Sequence, residues 1–250
     1  MGNSVSNVSK MRETMYLRIR CACGVMGMLL PWLALLSAGI AVHPSPEWWW
    51  SLSATYYQSP ALVAVLAPAC VVLICYSGYE PIDHALNTLS GIFGLCIILF
   101  PCNVSWIADG TRVGFFQLPI EVSHIIHGIS AVLFFALVAV NIIFMFTKTD
   151  QAVISSRKRT RNTIYRVCGI GILVLGSGFG AVVTGIAPQC LVFFIEVGIL
   201  MLFGFAWLVK GEVFPFLNDI EQEEAIGENA MAVVGDAMAA TETKDESTII

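Results

Sequence analysis

Six long apolar runs constrain the fold of this chain more than any other feature of its sequence. Crossing ~30 Å of hydrocarbon takes roughly 20 apolar residues in a helix, and an unpaired backbone amide in lipid costs several kcal/mol. The runs are continuous and lack the alternation of barrel strands. The sequence therefore predicts an all-α, polytopic membrane protein with six transmembrane helices in one bundle. The runs cover 22–42, 60–77, 86–102, 120–146, 164–187 and 190–209.

The composition agrees with a membrane protein. Of the 250 residues, 57% are hydrophobic and 12% are charged, and the mean hydropathy is +0.78. A chain of this kind has too little polar surface to coat a soluble globule. We expect it in a plasma membrane or a bacterial inner membrane, with lipid as a partner, and we expect no nucleic-acid partner.

The basic residues predict the orientation. Twelve of the thirteen Lys and Arg side chains share one face if the chain has six spans and both termini on the same side, and only Arg112 falls on the other face. Because basic residues stay on the cytoplasmic side, the N- and C-termini are predicted to be cytoplasmic. The twelve are Lys10, Arg12, Arg18, Arg20, Lys148, Arg157, Lys158, Arg159, Arg161, Arg166, Lys210 and Lys244.

Three regions follow from this topology. Residues 1–21 form a basic cytoplasmic N-terminus, 22–210 the six-helix transmembrane domain, and 211–250 an acidic cytoplasmic tail that is partly disordered. The first run is too long for a signal-peptide core of ~7–15 residues and is interrupted by Pro31 and Trp32, so we interpret it as a span. The acidic tail is a candidate binding segment for a cytosolic partner.

Small residues recur at helical spacing in the third, fourth and fifth runs. Such residues let transmembrane helices approach closely, so we expect tight helix contacts at these positions. They are Ser90, Gly91, Gly94, Gly128, Ala131, Gly176 and Gly180.

Ionisable residues open the fourth run. Glu121, His124 and His127 are three residues apart and share one helical stripe. Charge inside a membrane is rare and usually marks a partner, a pathway or a site. Glu196 in the sixth run lies at a depth similar to that of His127, which makes it the predicted partner of His127 across the bundle.

The first outer loop adds more polar and aromatic groups. His43 and Glu47 stand beside a run of three tryptophans that ends at Trp50, and aromatic side chains of this kind form interfacial belts. The loop also carries hydroxyl groups near the histidine stripe. A Ser/His hydrolase would need one of them, at Ser51, Ser53 or Thr55, within hydrogen-bond reach of His124 or His127.

Three interpretations of the histidine stripe remain open. A polar network that holds the fourth and sixth spans together is one, and a binding site for a lipid or small molecule is another. The third is metal-dependent hydrolysis, because two imidazoles and a carboxylate, here His124, His127 and Glu196, suit a zinc ion with an open fourth position. The spacing resembles no strong zinc motif, since His-Glu-x-x-His is not present.

Several short motifs carry a family resemblance. The chain is similar to a group of uncharacterised bacterial six-span membrane proteins and, more distantly, resembles the damage-regulated autophagy modulators, whose six-helix family also contains proteins of GPI-anchor lipid remodelling. The resemblance implies a six-helix fold, a lipid connection and a functional role for Ser53, His127 and Glu196. The chain departs from the distant relatives in its Trp triplet, in His124 and in its acidic tail. The motifs are Ser51-Leu-Ser-Ala-Thr-Tyr-Tyr57, Tyr76-Ser-Gly-Tyr-Glu80, Leu89-Ser-Gly-Ile-Phe-Gly94 and His127-Gly-Ile-Ser-Ala131.

Together these features predict an integral membrane protein with a polar cavity in the outer leaflet that binds or remodels a lipid head group. An oligomeric channel, a small transporter and a non-enzymatic scaffold are the alternatives, and a homo-oligomer would suit a channel. Four residues are candidate catalytic groups, namely Ser53, His124, His127 and Glu196. Four more are candidates for substrate binding, namely His43, Glu47, Trp50 and Glu121.

Overall fold

The chain folds into six α-helices, and the computed structural model describes residues 2–41, 43, 45–78, 80–149 and 154–218. A π-helical turn, Asn141–Met145, continues the fourth helix, and 3-10 turns cover Ser53–Tyr57 and Pro215–Leu217. A short antiparallel hairpin pairs β1 (Arg112–Val113) with β2 (Leu118–Pro119). The six helices are α1 (Gly2–Gly39), α2 (Ala61–Cys75), α3 (Pro81–Leu99), α4 (Ile120–Val140), α5 (Ser156–Val183) and α6 (Leu191–Lys210).

Five stretches of these helices are long and apolar enough to cross a membrane, which confirms the prediction of a helical membrane protein. The apolar helix α2 is shorter. It ends at Cys75 because the backbone becomes extended at Tyr76, so it has 15 residues and a length of roughly 22 Å. The five are Thr14–Gly39, Pro81–Leu99, Ile120–Met145, Ser156–Val183 and Leu191–Lys210.

The structure describes most of the predicted N-terminal region, 1–21, but only the first part of the predicted acidic tail, 211–250. Helix α1 begins at Gly2 and continues without a break into the first apolar run, so the backbone of the predicted N-terminal region is helical. Residues 219–250, most of the predicted acidic tail, lie outside the described residues. Before that point the chain folds back onto α5, where Arg157 and Arg161 donate to the backbone carbonyls of Asn218 and Leu217.

The helices form a closed ring. Each packs against its neighbours in chain order, and α1 closes the ring against α6. Tight packing occurs where glycines allow it, as predicted at two positions of α3: a Cβ at Gly91 would lie 2.5 Å from the Cys70 carbonyl oxygen, and one at Gly94 would lie 2.4 Å from Cys70 Sγ. Gly204 on α6 meets α1 in the same way, with the Gly24 carbonyl oxygen 2.7 Å from its ideal Cβ position.

The same prediction was wrong between α4 and α5. A Cβ built on Gly128, Gly176 or Gly180 meets no atom within 4 Å in the described part of the chain. Helix α5 is also the least buried span, with 17% of its most apolar window buried against 39–50% for the other four. The two helices touch closely only further along, where the Cβ position of Gly169 lies 3.0 Å from the Ala139 carbonyl oxygen.

One end of the ring, which we call the basic end, collects cationic side chains and is filled with aromatic rings. Lys158 donates to the carbonyls of Phe146 and Lys148, Lys210 donates to that of Phe146, and Lys148 pairs with Glu80. Beneath them four nearly fully buried rings pack with centroids 5.1–5.5 Å apart. This aromatic plug consists of Tyr76, Phe146, Tyr165 and Trp207.

Candidate functional site

The opposite end of the ring, which we call the cavity end, encloses a cavity of about 980 Å³. All six helices contribute to its wall, together with the α1–α2 and α3–α4 connections. Its deeper wall is apolar and its rim is polar. The apolar wall includes Leu30, Leu62, Leu66, Ile97, Phe134, Phe179 and Leu200, and the polar rim includes Glu47, Ser51, Ser53, Asn103, Asp109, His124, His127, Gln189 and Glu196.

Glu196 fixes the loop that covers the cavity. Its carboxylate is buried on α6 and accepts hydrogen bonds from Ser51 Oγ at 2.9 Å, from Ser53 Oγ at 2.9 Å and from the Leu52 backbone N–H at 2.6 Å. Ser51 Oγ in turn accepts from the Ser53 N–H at 3.1 Å. All three donors come from a single turn of the α1–α2 loop, and they occupy three of the roughly four acceptor sites of a carboxylate. We interpret Glu196 as the anchor that closes this side of the cavity.

His127 presents one ring nitrogen to the cavity. Its Nδ1 donates to two carbonyls at the end of α3, Ile97 O at 3.0 Å and Phe100 O at 2.9 Å. Because carbonyl oxygens only accept, the proton sits on Nδ1 and the neutral ring keeps a lone pair on Nε2. The side chain is 7% exposed and lines the cavity, and both of its hydrogen bonds to α3 are made through Nδ1. Nε2 is an acceptor ready for a ligand.

His124 holds the complementary tautomer one turn closer to the rim. Its Nδ1 accepts a hydrogen bond of 3.1 Å from the Asn103 backbone N–H, so the proton of the neutral ring sits on Nε2. The side chain is exposed. The two histidines of the stripe therefore offer a donor, on His124, and an acceptor, on His127.

The structure brings six of the eight candidate site residues to one cavity and leaves two aside. Glu47, Trp50, Ser53, His124, His127 and Glu196 line it. His43 instead stacks on Trp48, with ring centroids 4.2 Å apart. Glu121 accepts a 2.6 Å hydrogen bond from the Gly110 N–H and thereby ties the α3–α4 connection to the first turn of α4.

The predicted pairing of His127 with Glu196 was wrong. No hydrogen bond or ion pair joins these two described side chains, because His127 turns its Nδ1 toward α3 and Glu196 turns its carboxylate toward the 51–53 loop. The sequence placed both at a similar depth but could not indicate that nearer backbone groups would satisfy each of them.

A metal site does not fit this arrangement. Among the described residues no group of three or more His, Cys, Asp or Glu side chains is placed to hold a metal ion, and the carboxylate of Glu196 is bonded to the 51–53 loop. Cys102 lines the cavity as a free cysteine, and burial raises the pKa of its thiol to about 12. A protonated thiol is a poor metal ligand.

A Ser/His hydrolase arrangement is not assembled either. The hydroxyls of Ser51 and Ser53 donate to Glu196, and that of Thr55 donates to the Leu52 carbonyl. None of the three hydroxyls bonds a histidine in the described part of the chain. The structure gives Ser53 a role in holding the loop.

Three polar groups of the rim were not singled out from the sequence. Asn103 and Asp109 come from the α3–α4 connection and Gln189 from the α5–α6 turn. Their distance along the chain from the histidine stripe gives no local signal. The six-span topology supplies one indirect signal, since it places all three connections that follow odd-numbered helices on one face.

Comparisons of the chain with protein-family models, with curated proteins and with solved structures find no match.

Proposed function

We propose that the chain is a six-span membrane protein with its basic end in the cytoplasm. Helix α2 supports the sixth crossing, because the residues that flank it lie at opposite ends of the ring. The hydroxyl of Ser59, before the helix, contacts that of Ser37 at the cavity end, and the hydroxyl of Tyr76, after it, accepts from Arg20 at the basic end. The gathering of cationic side chains at that end supports the orientation, since basic residues stay in the cytoplasm. The cavity then opens toward the outer leaflet.

A matched pair of exposed serines tests the orientation. In a background without reactive native cysteines, Ser156→Cys at the basic end should react with a membrane-impermeant maleimide only after the membrane is opened. Ser105→Cys at the cavity end should react in intact cells or spheroplasts. The reverse pattern would overturn the orientation, and labelling of both from one side would overturn the six-span count.

We infer that the cavity binds a membrane lipid by its head group. The observation that carries this proposal is a single cavity of about 980 Å³ with a polar rim and an apolar floor, near the upper end of the ~300–1,000 Å³ of ligand pockets. A lipid has the same division between a polar head and an apolar body. The lipid connection implied by the six-helix family resemblance points the same way.

The rim chemistry favours a particular class of head group. It carries the carboxylates of Glu47 and Asp109, the Nε2 acceptor of His127 and the Nε2–H donor of His124, and no Lys or Arg among the described residues that line it. A cavity with acidic groups and acceptors complements hydroxyl and ammonium donors and disfavours net anionic head groups. We therefore propose an amine-bearing or hydroxyl-rich lipid.

A channel is less well supported. Six helices of one chain surround the cavity, but the aromatic plug fills the ring at the basic end, with Trp207 and Phe146 each 1% exposed. A continuous polar path would have to displace these packed rings. The scaffold alternative depends on the acidic tail, and a chain truncated after Asn218 that still binds lipid would separate the two functions.

His127 offers a sharp test of the lipid site. His127→Asn keeps an amide donor near the position of Nδ1, and so keeps the bonds to α3, but it removes the Nε2 acceptor. We expect the affinity for phosphatidylethanolamine or a monoglucosyl lipid to fall by about tenfold, or ~1.4 kcal/mol, in native mass spectrometry with an unchanged melting temperature.

His84→Ala is the matched control, because this histidine contacts the Tyr76 carbonyl at the basic end and is remote from the cavity. It should leave lipid affinity unchanged. Equal binding of phosphatidylglycerol and phosphatidylethanolamine with the same acyl chains would contradict the proposed head-group class. No bound lipid at all would contradict the function.

A further inference from the structure

The cavity is open toward the side of the helix ring as well as at its rim. Val132 on α4 and Val183 on α5 both line it, and 60% and 87% of their surfaces are exposed. A side chain in an enclosed cavity cannot be this exposed, so the cavity wall is open at these two residues. These two residues belong to neighbouring helices and to spans long enough to cross a membrane.

The gap has a defined lower boundary. At Gly169, α5 packs closely against Ala139 of α4 and against Ile143 of the π-helical turn that follows α4. Toward the cavity end the last ring contact between the helices is the stack of Phe135 on Phe179, with centroids 6.5 Å apart and planes 11° from parallel. Beyond this stack no further ring contact joins the two helices among the described residues.

Open glycines flank the gap above the stack. Gly128 lines the cavity, and a Cβ there or at Gly180 would meet no atom within 4 Å in the described chain. Glycines that allow close packing leave no such space, as Gly91 and Gly204 show. Gly128 and Gly180 are both exposed, so neither position places a side chain between the two helices.

A second, independent observation points to a ligand behind the gap. His127 is more than nine-tenths buried, lies one residue before Gly128, lines the cavity and makes its hydrogen bonds to α3 through Nδ1. Its Nε2 is therefore an acceptor that a ligand in the cavity can use. The gap therefore leads to a polar group that is ready to bind.

From this geometry we propose that the α4–α5 seam is a lateral portal through which an acyl chain of the bound lipid extends from the cavity into the bilayer. The portal is defined by Gly128, Val132, Phe135, Phe179, Gly180 and Val183. This inference rests on the proposed lipid-binding function and deepens it. The ligand is then a membrane-resident lipid that enters sideways, and a water-soluble head-group compound would not need this opening.

The occupant follows from the chemistry of the walls. Every side chain of the portal is apolar and lies in a span, where the surrounding medium is hydrocarbon. A polar ligand that crossed such a seam would lose its hydrogen bonds with water. A hydrocarbon chain crosses it at little cost and lets the head group reach the rim without leaving the membrane.

Two variants fill the portal, and a third serves as the control. Gly128→Leu and Gly180→Leu add a side chain where the structure has open space, so both should fold. Ala64→Leu on α2 adds the same bulk at another exposed position outside the seam. Two phosphatidylethanolamines with the same head group are the probes, one with dihexanoyl chains and one with palmitoyl and oleoyl chains.

We expect the wild type and Ala64→Leu to bind both probes. The two portal variants should keep the dihexanoyl probe and lose about tenfold in affinity, or ~1.4 kcal/mol, for the long-chain probe, because the added side chain occupies the space that the acyl chain needs. Unchanged binding of both probes in the portal variants would overturn the portal. Loss of both probes with an unchanged melting temperature would also overturn it, because the seam would then hold the head group.

Failure of the lipid-binding proposal would give a different result from failure of the portal proposal. If the wild type binds neither probe nor the monoglucosyl lipid, the proposed function fails and the portal fails with it. A long-chain lipid with a photoreactive diazirine in its acyl chain gives a direct readout. Cross-links should fall on α4 and α5 near Val132 and Val183, and cross-links confined to α1, α2 and α3 would place the chain elsewhere.

Discussion

The two ends of the helix ring differ in how completely side chains fill the space between the helices. At the basic end, Lys158 and Lys210 lie against the Phe146 carbonyl and the aromatic plug fills the space beneath. At the cavity end, the 51–53 loop donates to Glu196, and His127 lies beside about 980 Å³ of space with its hydrogen bonds made through Nδ1. Buried polar atoms without a partner among the described residues also occur outside this cavity, at Asn141 and Asn162, so the open space and its polar rim are what distinguish the cavity end. A pocket of this kind is where we expect binding.

The same contrast appears in the helix seams. In the half nearer the basic end, α1 and α6 meet through glycines so closely that a single methyl group would collide. In the half nearer the cavity, Gly128 of α4 and Gly180 of α5 face open space. Identical residues serve two purposes, and the sequence pattern does not distinguish them.

The largest effect is expected from removing the anchor of the cavity end. Glu196→Ala leaves the Leu52 N–H and the hydroxyls of Ser51 and Ser53 without their acceptor. Each donor left buried and unsatisfied should cost about 1–3 kcal/mol of stability, measured as a large fall in melting temperature in detergent. Glu196→Gln keeps one acceptor oxygen and should lose less. Glu47→Gln lines the same cavity and is the control. A loss no larger than that of the control would mean that the cavity end does not depend on this carboxylate.

The contrast between closed and open seams predicts that a Gly→Ala substitution destabilises the protein in a closed seam and stabilises it in an open one. Gly204→Ala places a methyl group 2.4 Å from Met28 Cγ and 2.7 Å from the Gly24 carbonyl oxygen, so we expect about 1–3 kcal/mol of destabilisation. Gly176→Ala meets nothing and gains helix propensity, so it should stabilise by up to ~1 kcal/mol. Thermal unfolding of the two variants side by side measures both. Equal losses would show that the α4–α5 seam is closed in the membrane.

The smallest effect concerns Ser53. Because its hydroxyl donates to Glu196, Ser53→Ala should cost about 0.5–1.5 kcal/mol of stability and leave lipid occupancy in native mass spectrometry unchanged. Thr55→Val, which removes a hydroxyl bonded to the Leu52 carbonyl, is the matched control with a similar loss. Complete loss of a lipid-hydrolase activity in Ser53→Ala, with stability intact, would restore the catalytic interpretation of this serine.

Much of the architecture could be predicted from local pattern. Continuous apolar runs set the helices, and the lengths of the runs set their approximate ends. The error at α2 came from counting Tyr76 and Ser77 as part of the run, although the backbone is already extended at Tyr76. Periodicity measures side-chain polarity, and it carries little information on where a backbone leaves the helix.

The sequence predicted which residues belong to the site better than it predicted the contacts that they make. Ser53, His124, His127 and Glu196 meet at one cavity, but the expected bond between His127 and Glu196 does not form. Polar residues in apolar runs are conspicuous in any sequence. Which partner satisfies each of them depends on the carbonyls and amides that the fold brings near, such as Phe100 O and the Leu52 N–H, and every residue carries such groups.

The sequence by itself determined that this chain is helical and embedded in a membrane, because hydrocarbon leaves the backbone few other ways to satisfy its hydrogen bonds. Only the tertiary structure decided which polar groups are spent on stability and which remain for a ligand, and which glycines close a seam and which leave it open. The reason is physical. Helix formation is a property of residues close in sequence, whereas a cavity is set by how six separate surfaces fail to fill the space between them.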